Sequence, residues 1–374
     1  MNKHRSAPYA NPSSAPEKIP GSATDSNPGS ASGTIPGSAS PAVVPVVTYG
    51  MIMSAHVNNR AYVKRTPLLR AEKLEKLFDG AQIFLKLENL QHTGSFKVRG
   101  VINKMLSLSE GERARGVAAA SSGNHAQAVA YIAAKLGTKS VIVMPEDAPI
   151  AKIAGTKEYG AEVVLHGLTV GERERKCGEL IEKFGYSLVH SYADVALIAG
   201  HGTIIVEASE QMEQMNEMVA GRRFDEIVMP CGAGAIVSGA AVAAKGCMPG
   251  AIVTAVEPAA VPRFTASLRA GAPVTVEMGA TIADGLRVNV AEPINFALIR
   301  DYVDRMLTVG EAPIRRALME TVTRANIVAE PSACVGIAAA LDGAIDTGPG
   351  RSICFVISGG NMDASVLADI LMHN

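Results

Sequence analysis

Seven short apolar runs, each followed by a helical or loop-and-helix pattern, constrain this chain more than any other feature. They fall at residues 117–120, 140–144, 162–166, 187–190, 226–230, 252–256 and 352–357. Segments 148–159 and 171–184 between them carry the apolar spacing of helices. Near-continuous apolar strands alternating with helices require cover on both sheet faces, which predicts an α/β fold with open, twisted parallel sheets. About 330 residues follow position 42, enough for two such domains. In sheets of this kind ligands bind beyond the carboxyl ends of the strands, so chemistry is sought in the loops that follow these runs.

The first forty-odd residues differ in kind. Ile19-Pro20-Gly21-Ser22-Ala23, Asn27-Pro28-Gly29-Ser30-Ala31 and Ile35-Pro36-Gly37-Ser38-Ala39 repeat a Pro-Gly-Ser-Ala unit. Such a tract buries too little apolar surface to offset its chain entropy, and residues 1–42 are expected to be a disordered low-complexity tail. It has neither the apolar core of a secretory signal nor the arginines of a mitochondrial presequence. A net charge of −1 over 374 residues gives no reason to expect nucleic acid or an anionic membrane as partner. No apolar run is long enough to span a bilayer. Five scattered cysteines without a Cys-x-x-Cys pair fit a reduced, cytoplasmic protein.

Lys97 stands where a glycine-bearing turn gives way to a helix with Val98, Val101, Ile102, Met105 and Leu106 on one face. A lysine fixed there, against apolar walls that lower its pKa, can attack a carbonyl and carry a Schiff base, although many lysines at helix starts are merely solvated. Three loops could serve it. Ser121-Ser122-Gly123-Asn124-His125 follows the 117–120 run and offers hydroxyls and helix-start N–H groups to an anion such as a substrate carboxylate; it could also simply cap a helix. Gly232-Ala233-Gly234-Ala235 lies between a strand and a helix and can cradle a phosphate, provided φ is negative at the two alanines. Ser358-Gly359-Gly360-Asn361 ends the last apolar run, where a tight turn is the plainer reading.

The stretch Lys86-Leu87-Glu88-Asn89-Leu90-Gln91, followed by Thr93-Gly94-Ser95-Phe96-Lys97-Val98-Arg99-Gly100, resembles the cofactor-lysine segment of the fold-type II pyridoxal-phosphate enzymes. Within that group it is most similar to the threonine/serine dehydratase and serine racemase branch, and the likeness runs from Thr66 to Asn361. It implies two tryptophan synthase β-like domains: a large one from residues 43–114 and 193–374, and a small one, carrying the substrate loop, inserted at 115–192. It implies pyridoxal 5′-phosphate as cofactor, on Lys97, with Phe96, Asn124, Gly232, Ala233, Gly234, Ala235 and Ser358 binding it. Ser121, Ser122, Asn124 and His125 would hold the substrate, and Ser122 would face the α-carbon opposite Lys97 as a second acid/base. Ser358 would meet the pyridine nitrogen without protonating it, which suits β-elimination. By the same resemblance the protein is a homo-oligomer, a dimer or tetramer, acting on a small amino acid, and without the C-terminal regulatory domain of biosynthetic dehydratases.

Departures from the family pattern sharpen this. The usual phosphate loop has four glycines; here two are Ala233 and Ala235. His201 replaces a glutamine in Ala199-Gly200-His201-Gly202-Thr203, and is read as structural. In racemase-like members a glutamate matching Glu257 and an aspartate six residues on bind a divalent cation. Here the second position is Arg263, so no metal is expected and Glu257 is read as its ion-pair partner. Arg173, Thr281-Ile282-Ala283-Asp284-Gly285 and Glu330-Pro331-Ser332 are secondary candidates near the site. The expected activity is a lyase reaction converting L-threonine, L-serine or a related 3-hydroxy amino acid to a 2-oxo acid and ammonia, with Lys97 as general base. Alternatives are an amino-acid racemase, a dehydratase for hydroxyaspartate or a bulkier 3-hydroxy amino acid, and, more distantly, a non-catalytic cofactor-binding module.

Overall fold

Ten strands carry the architecture: β1 (Leu68–Arg70), β2 (Gln82–Leu87), β3 (Val117–Ala120), β4 (Ser140–Met144), β5 (Glu162–Leu165), β6 (Ser187–Leu188), β7 (Glu226–Pro230), β8 (Ile252–Pro258), β9 (Arg305–Val309) and β10 (Ser352–Ile357). The computed structural model describes residues 46–218 and 223–373, so the expected tail lies outside the described residues. Six strands form one sheet in the order β1-β2-β10-β7-β8-β9, and four form another in the order β5-β4-β3-β6. All neighbours pair in parallel except β1, which lies antiparallel on β2. The expected parallel sheets are present, with one antiparallel strand at an edge. There the short link from Arg70 to Gln82 turns the chain back instead of crossing over.

Strands β4, β7 and β10 are buried along their whole length, as both-face cover demands. Side chains of β10 divide by the two-residue period. Cys354 and Val356 join a core with Ile102, Val129 and Ile205, whereas Ile353, Phe355 and Ile357 join one with Leu85, Ile314 and Ile337. Strands β3, β4, β7 and β10 keep the limits expected from sequence. The helix at Val170–Phe184 starts on a capping box between Thr169 and Glu172 and stops at Gly185, whose left-handed φ of 72° ends it.

The Lys97–Ser107 helix buries Val98, Val101, Ile102 and Met105 of the expected stripe, while Leu106 is half-buried. It packs on the 24-residue helix Val195–Met218. The turn before it is tied to the last strand's exit: Phe96 N–H donates to Ser358 O at 3.0 Å and Gly360 N–H to Gly94 O at 3.0 Å. Thr93 reaches φ 59° there, one of two non-glycine positive values among the described residues.

Candidate active site

Four strand exits converge. The loops after β3, β7 and β10, joined by residues 189–192 after β6, border a cavity of about 670 Å³. Phe96, Lys97, Ser121, Ser122, Asn124, His125, Gly232, Ala233, Gly234, Ala235 and Ser358 all line it, so residues far apart in the chain and singled out from sequence meet in one place.

Lys97 is half-buried, and its Nζ donates to Ser191 O at 3.1 Å. Burial lowers the amine's pKa to about 8, with the Glu330 carboxylate partly offsetting that. Glu330 is itself buried, and burial raises its pKa to about 7, opposed by hydrogen bonds from Asn124. Asn124 Nδ2 donates to both Glu330 oxygens at 3.2 and 3.1 Å, while its Oδ1 accepts from Asn361 Nδ2 at 2.9 Å. Asn361 Nδ2 also donates to Thr93 O at 2.7 Å, which links all three segments. Burial, then the nearby Lys97, depresses His125 to about 3, so it stands as a neutral ring with Nε2 against Val189 O at 2.9 Å.

The 231–235 loop has the conditions an anion needs. Among its residues only Gly234 has positive φ, at 91°, so Ala233 and Ala235 sit without strain. The N–H groups of Gly232, Ala233, Gly234 and Ala235 have no acceptor among the described residues, although Gly232, Gly234 and Ala235 are buried. They lead into the 13-residue helix Ala235–Cys247, whose dipole adds to the attraction. Ser358, a buried residue that lines the same cavity, likewise has a hydroxyl with no hydrogen-bond partner among the described residues. An amine, a free hydroxyl and a run of unfilled N–H donors fit pyridoxal phosphate.

The secondary candidates divide. Arg173, Asp284, Gly285, Glu330 and Ser332 line the cavity. His201 does not; it is fully buried, edge-on to Phe96 with ring centroids 4.7 Å apart, and neither ring nitrogen has a partner among the described residues. Glu257 and Arg263 pair at 3.6 Å, both fully buried. Sequence reasoning passed over Ser191, Tyr192 and Asn295. Ser191 and Tyr192 belong to no motif, and their only signal was a place just beyond a strand.

A two-sheet α/β fold whose glycine- or serine-rich strand exits border a cavity lined by a lysine is the arrangement of a cofactor-binding α/β enzyme. The chain belongs to the pyridoxal-phosphate dependent enzyme family, whose model matches residues 60–359. It is 39% identical over 326 residues to the L-threonine ammonia-lyase of Thermotoga maritima, covering 87% of this chain and 78% of that one. It is 37% identical, also over 326 residues, to the L-threo-3-hydroxyaspartate ammonia-lyase of Saccharomyces cerevisiae, covering 87% and 97%. Among solved structures, the serine racemase of Dictyostelium discoideum superposes with a TM-score of 0.77 at 34% identity, covering 85% of this chain and 99% of that one. The protein is a pyridoxal phosphate-dependent lyase. No described helix is long and apolar enough to cross a membrane.

Proposed function

We propose that the protein eliminates water from L-threonine and L-serine, releasing a 2-oxo acid and ammonia. The observation that carries this reading is Lys97: an amine held at pKa about 8 by burial, in a cavity that also offers an anion loop on each side. Pyridoxal phosphate, when bound, supplies an electron sink for charge developing at the substrate α-carbon. Lys97 would hold the cofactor, and its neutral amine would take the α-proton. The N–H groups and hydroxyls of residues 121–125 would hold the substrate carboxylate, with the neutral His125 ring beside them. Phe96, Asn124 and Ser358 would hold the cofactor's ring, and residues 232–235 would hold its phosphate. Ser122, which also lines the cavity, would serve as a second acid/base opposite Lys97. In this reading residues 115–192 form a small lobe that presents the substrate loop to a larger lobe made of residues 43–114 and 193–374, in a cytoplasmic homo-oligomer.

A substrate with a second carboxylate is the other reading that a specific observation favours. Arg173 and Arg287 both line the cavity, and either guanidinium could receive a side-chain carboxylate. A panel of L-threonine, L-serine and 3-hydroxyaspartate, assayed for oxo-acid and ammonia release with chiral analysis of the remaining substrate, separates these readings. L-Threonine and L-serine should yield oxo acid, and Lys97→Ala should lose about 10³-fold or more of that rate. Activity surviving in Lys97→Ala, or loss of chirality without oxo acid, defeats the elimination reading.

A further inference from the structure

Three consecutive carbonyls of the 231–234 loop are held from behind. Arg263 is fully buried; its Nη2 donates to Cys231 O at 2.9 Å and also to Gly232 O, which Nε reaches at 3.0 Å. Nη1 reaches Leu286 O at 3.1 Å and Val288 O, on a second segment that lines the cavity. Asn295, also fully buried, donates from Nδ2 to Ala233 O at 3.0 Å and to Tyr192 O at 3.1 Å. Glu257 orients the guanidinium from 3.6 Å and is itself fixed by the N–H groups of Phe264 and Thr265, each at 3.0 Å.

In a trans peptide the C=O and the following N–H point in opposite directions. Holding the carbonyls of Cys231, Gly232 and Ala233 on one side therefore turns the N–H groups of Gly232, Ala233 and Gly234 to the other. Those are the N–H groups without an acceptor among the described residues, in residues that line the cavity. A guanidinium suits this task because its planar fork presents five donors in fixed directions, whereas an ammonium is a single point. The counter-charge of Glu257 mutes the long-range field of Arg263, so its effect on the loop is geometric.

We propose that Arg263, assisted by Asn295, is a positioning residue that pre-forms the phosphate cradle by clamping the carbonyls behind it. The loop then loses its freedom when the chain folds and not when the anion binds, which raises affinity without a direct contact. This rests on the reading that residues 232–235 take the cofactor's phosphate. It predicts that damage to the clamp is felt by the phosphate and not by the aldehyde.

Cofactor-free Arg263→Lys and Asn295→Leu proteins, titrated with pyridoxal phosphate and separately with unphosphorylated pyridoxal, test it through the absorbance of the bound ligand. Arg263→Lys should bind pyridoxal phosphate about tenfold or more weakly, the loss of one or two charged hydrogen bonds, while pyridoxal binding stays unchanged. Asn295→Leu, which frees one carbonyl, should show the same selectivity to a smaller degree and carries the test if Arg263→Lys does not fold. Equal weakening of both ligands would assign Arg263 to general fold stability, and no weakening of either would remove it from the site; both overturn the proposal. Failure of the underlying function looks different: Lys97→Ala would then take up pyridoxal phosphate with the same absorbance as wild type, whatever the Arg263 variant does.

Discussion

Lys97 and Arg99 stand two residues apart on one helix, and burial treats them oppositely. Arg99 lies over a closed network: its Nε meets Glu88 Oε2 at 2.8 Å, its Nη2 meets Glu207 Oε1 at 2.8 Å, and Lys86 Nζ meets the same Glu207 oxygen at 2.6 Å. Burial disfavours the guanidinium's charge, but Glu88 and Glu207 outweigh that and hold its pKa above the ordinary value. Two cations and two carboxylates balance inside the protein. Lys97, on the cavity side, has one backbone carbonyl and the more distant Glu330, so burial wins and its proton is loosely held. Depth alone therefore does not decide what a buried cation becomes: two carboxylates outweigh burial for the Arg99 guanidinium, whereas burial still lowers the Lys86 ammonium beside the same pair.

Breaking the closed side should have the largest effect on stability. Arg99→Met leaves Glu88 and Glu207 facing Lys86 alone, and urea denaturation should report a loss of about 3–5 kcal/mol. A loss near zero would mean that the network is not the balanced set described.

The open side should respond in the other direction. Glu330 has a folded pKa of about 7 against 4.5 for the free group, so the folded state binds the extra proton between those values. Its contribution to stability is most favourable below 4.5 and falls as pH rises from there through about 7. Glu330→Gln removes that penalty, so the cofactor-free variant should be more stable than wild type at pH 8, by on the order of 2–3 kcal/mol, and equal to it at about pH 4. Thermal melts at the two pH values check this, and equal shifts at both would contradict it.

The smallest effect is a shift in a rate profile. Only the neutral amine attacks an aldehyde, so pyridoxal phosphate uptake by the cofactor-free protein should accelerate with pH through a midpoint of about 8. In Glu330→Gln the midpoint should move lower, because the carboxylate that helps hold the Lys97 proton is gone. A midpoint of about 10 in wild type would show that Lys97 is solvated like any surface lysine.

Much of this was legible in the chain. Runs such as 141–144 and 353–357 are apolar throughout because both faces are covered, and the loops beyond β3, β7 and β10 hold the cavity. What escaped notice did so for physical reasons. β2 was missed because Lys86 breaks its apolar run; the lysine is fully buried, paired with a glutamate 121 residues away. β9 is a half-exposed edge strand without a clear period, and β1 is three residues long. Asn295 reads as a polar residue between the apolar Ile294 and Phe296, and only the fold reveals that it holds Ala233 O. Arg263 was read as a partner for Glu257, which it is, but its carbonyl contacts come from segments 31 residues upstream and 25 downstream and leave no local pattern.

The place of β10 sets a schedule for making the protein. The last strand in the chain inserts between β2 and β7, so the six-stranded sheet stays in two pieces until Ser352–Ile357 has been synthesised. At roughly 5–20 residues per second, β2 waits tens of seconds for its central neighbour, with an apolar inner edge open to any other strand. The turn before Lys97 waits equally long for Ser358 and Asn361. A ribosome that stalls before β10 therefore releases a chain with no assembled lysine site and two sticky half-sheets, a natural substrate for chaperones.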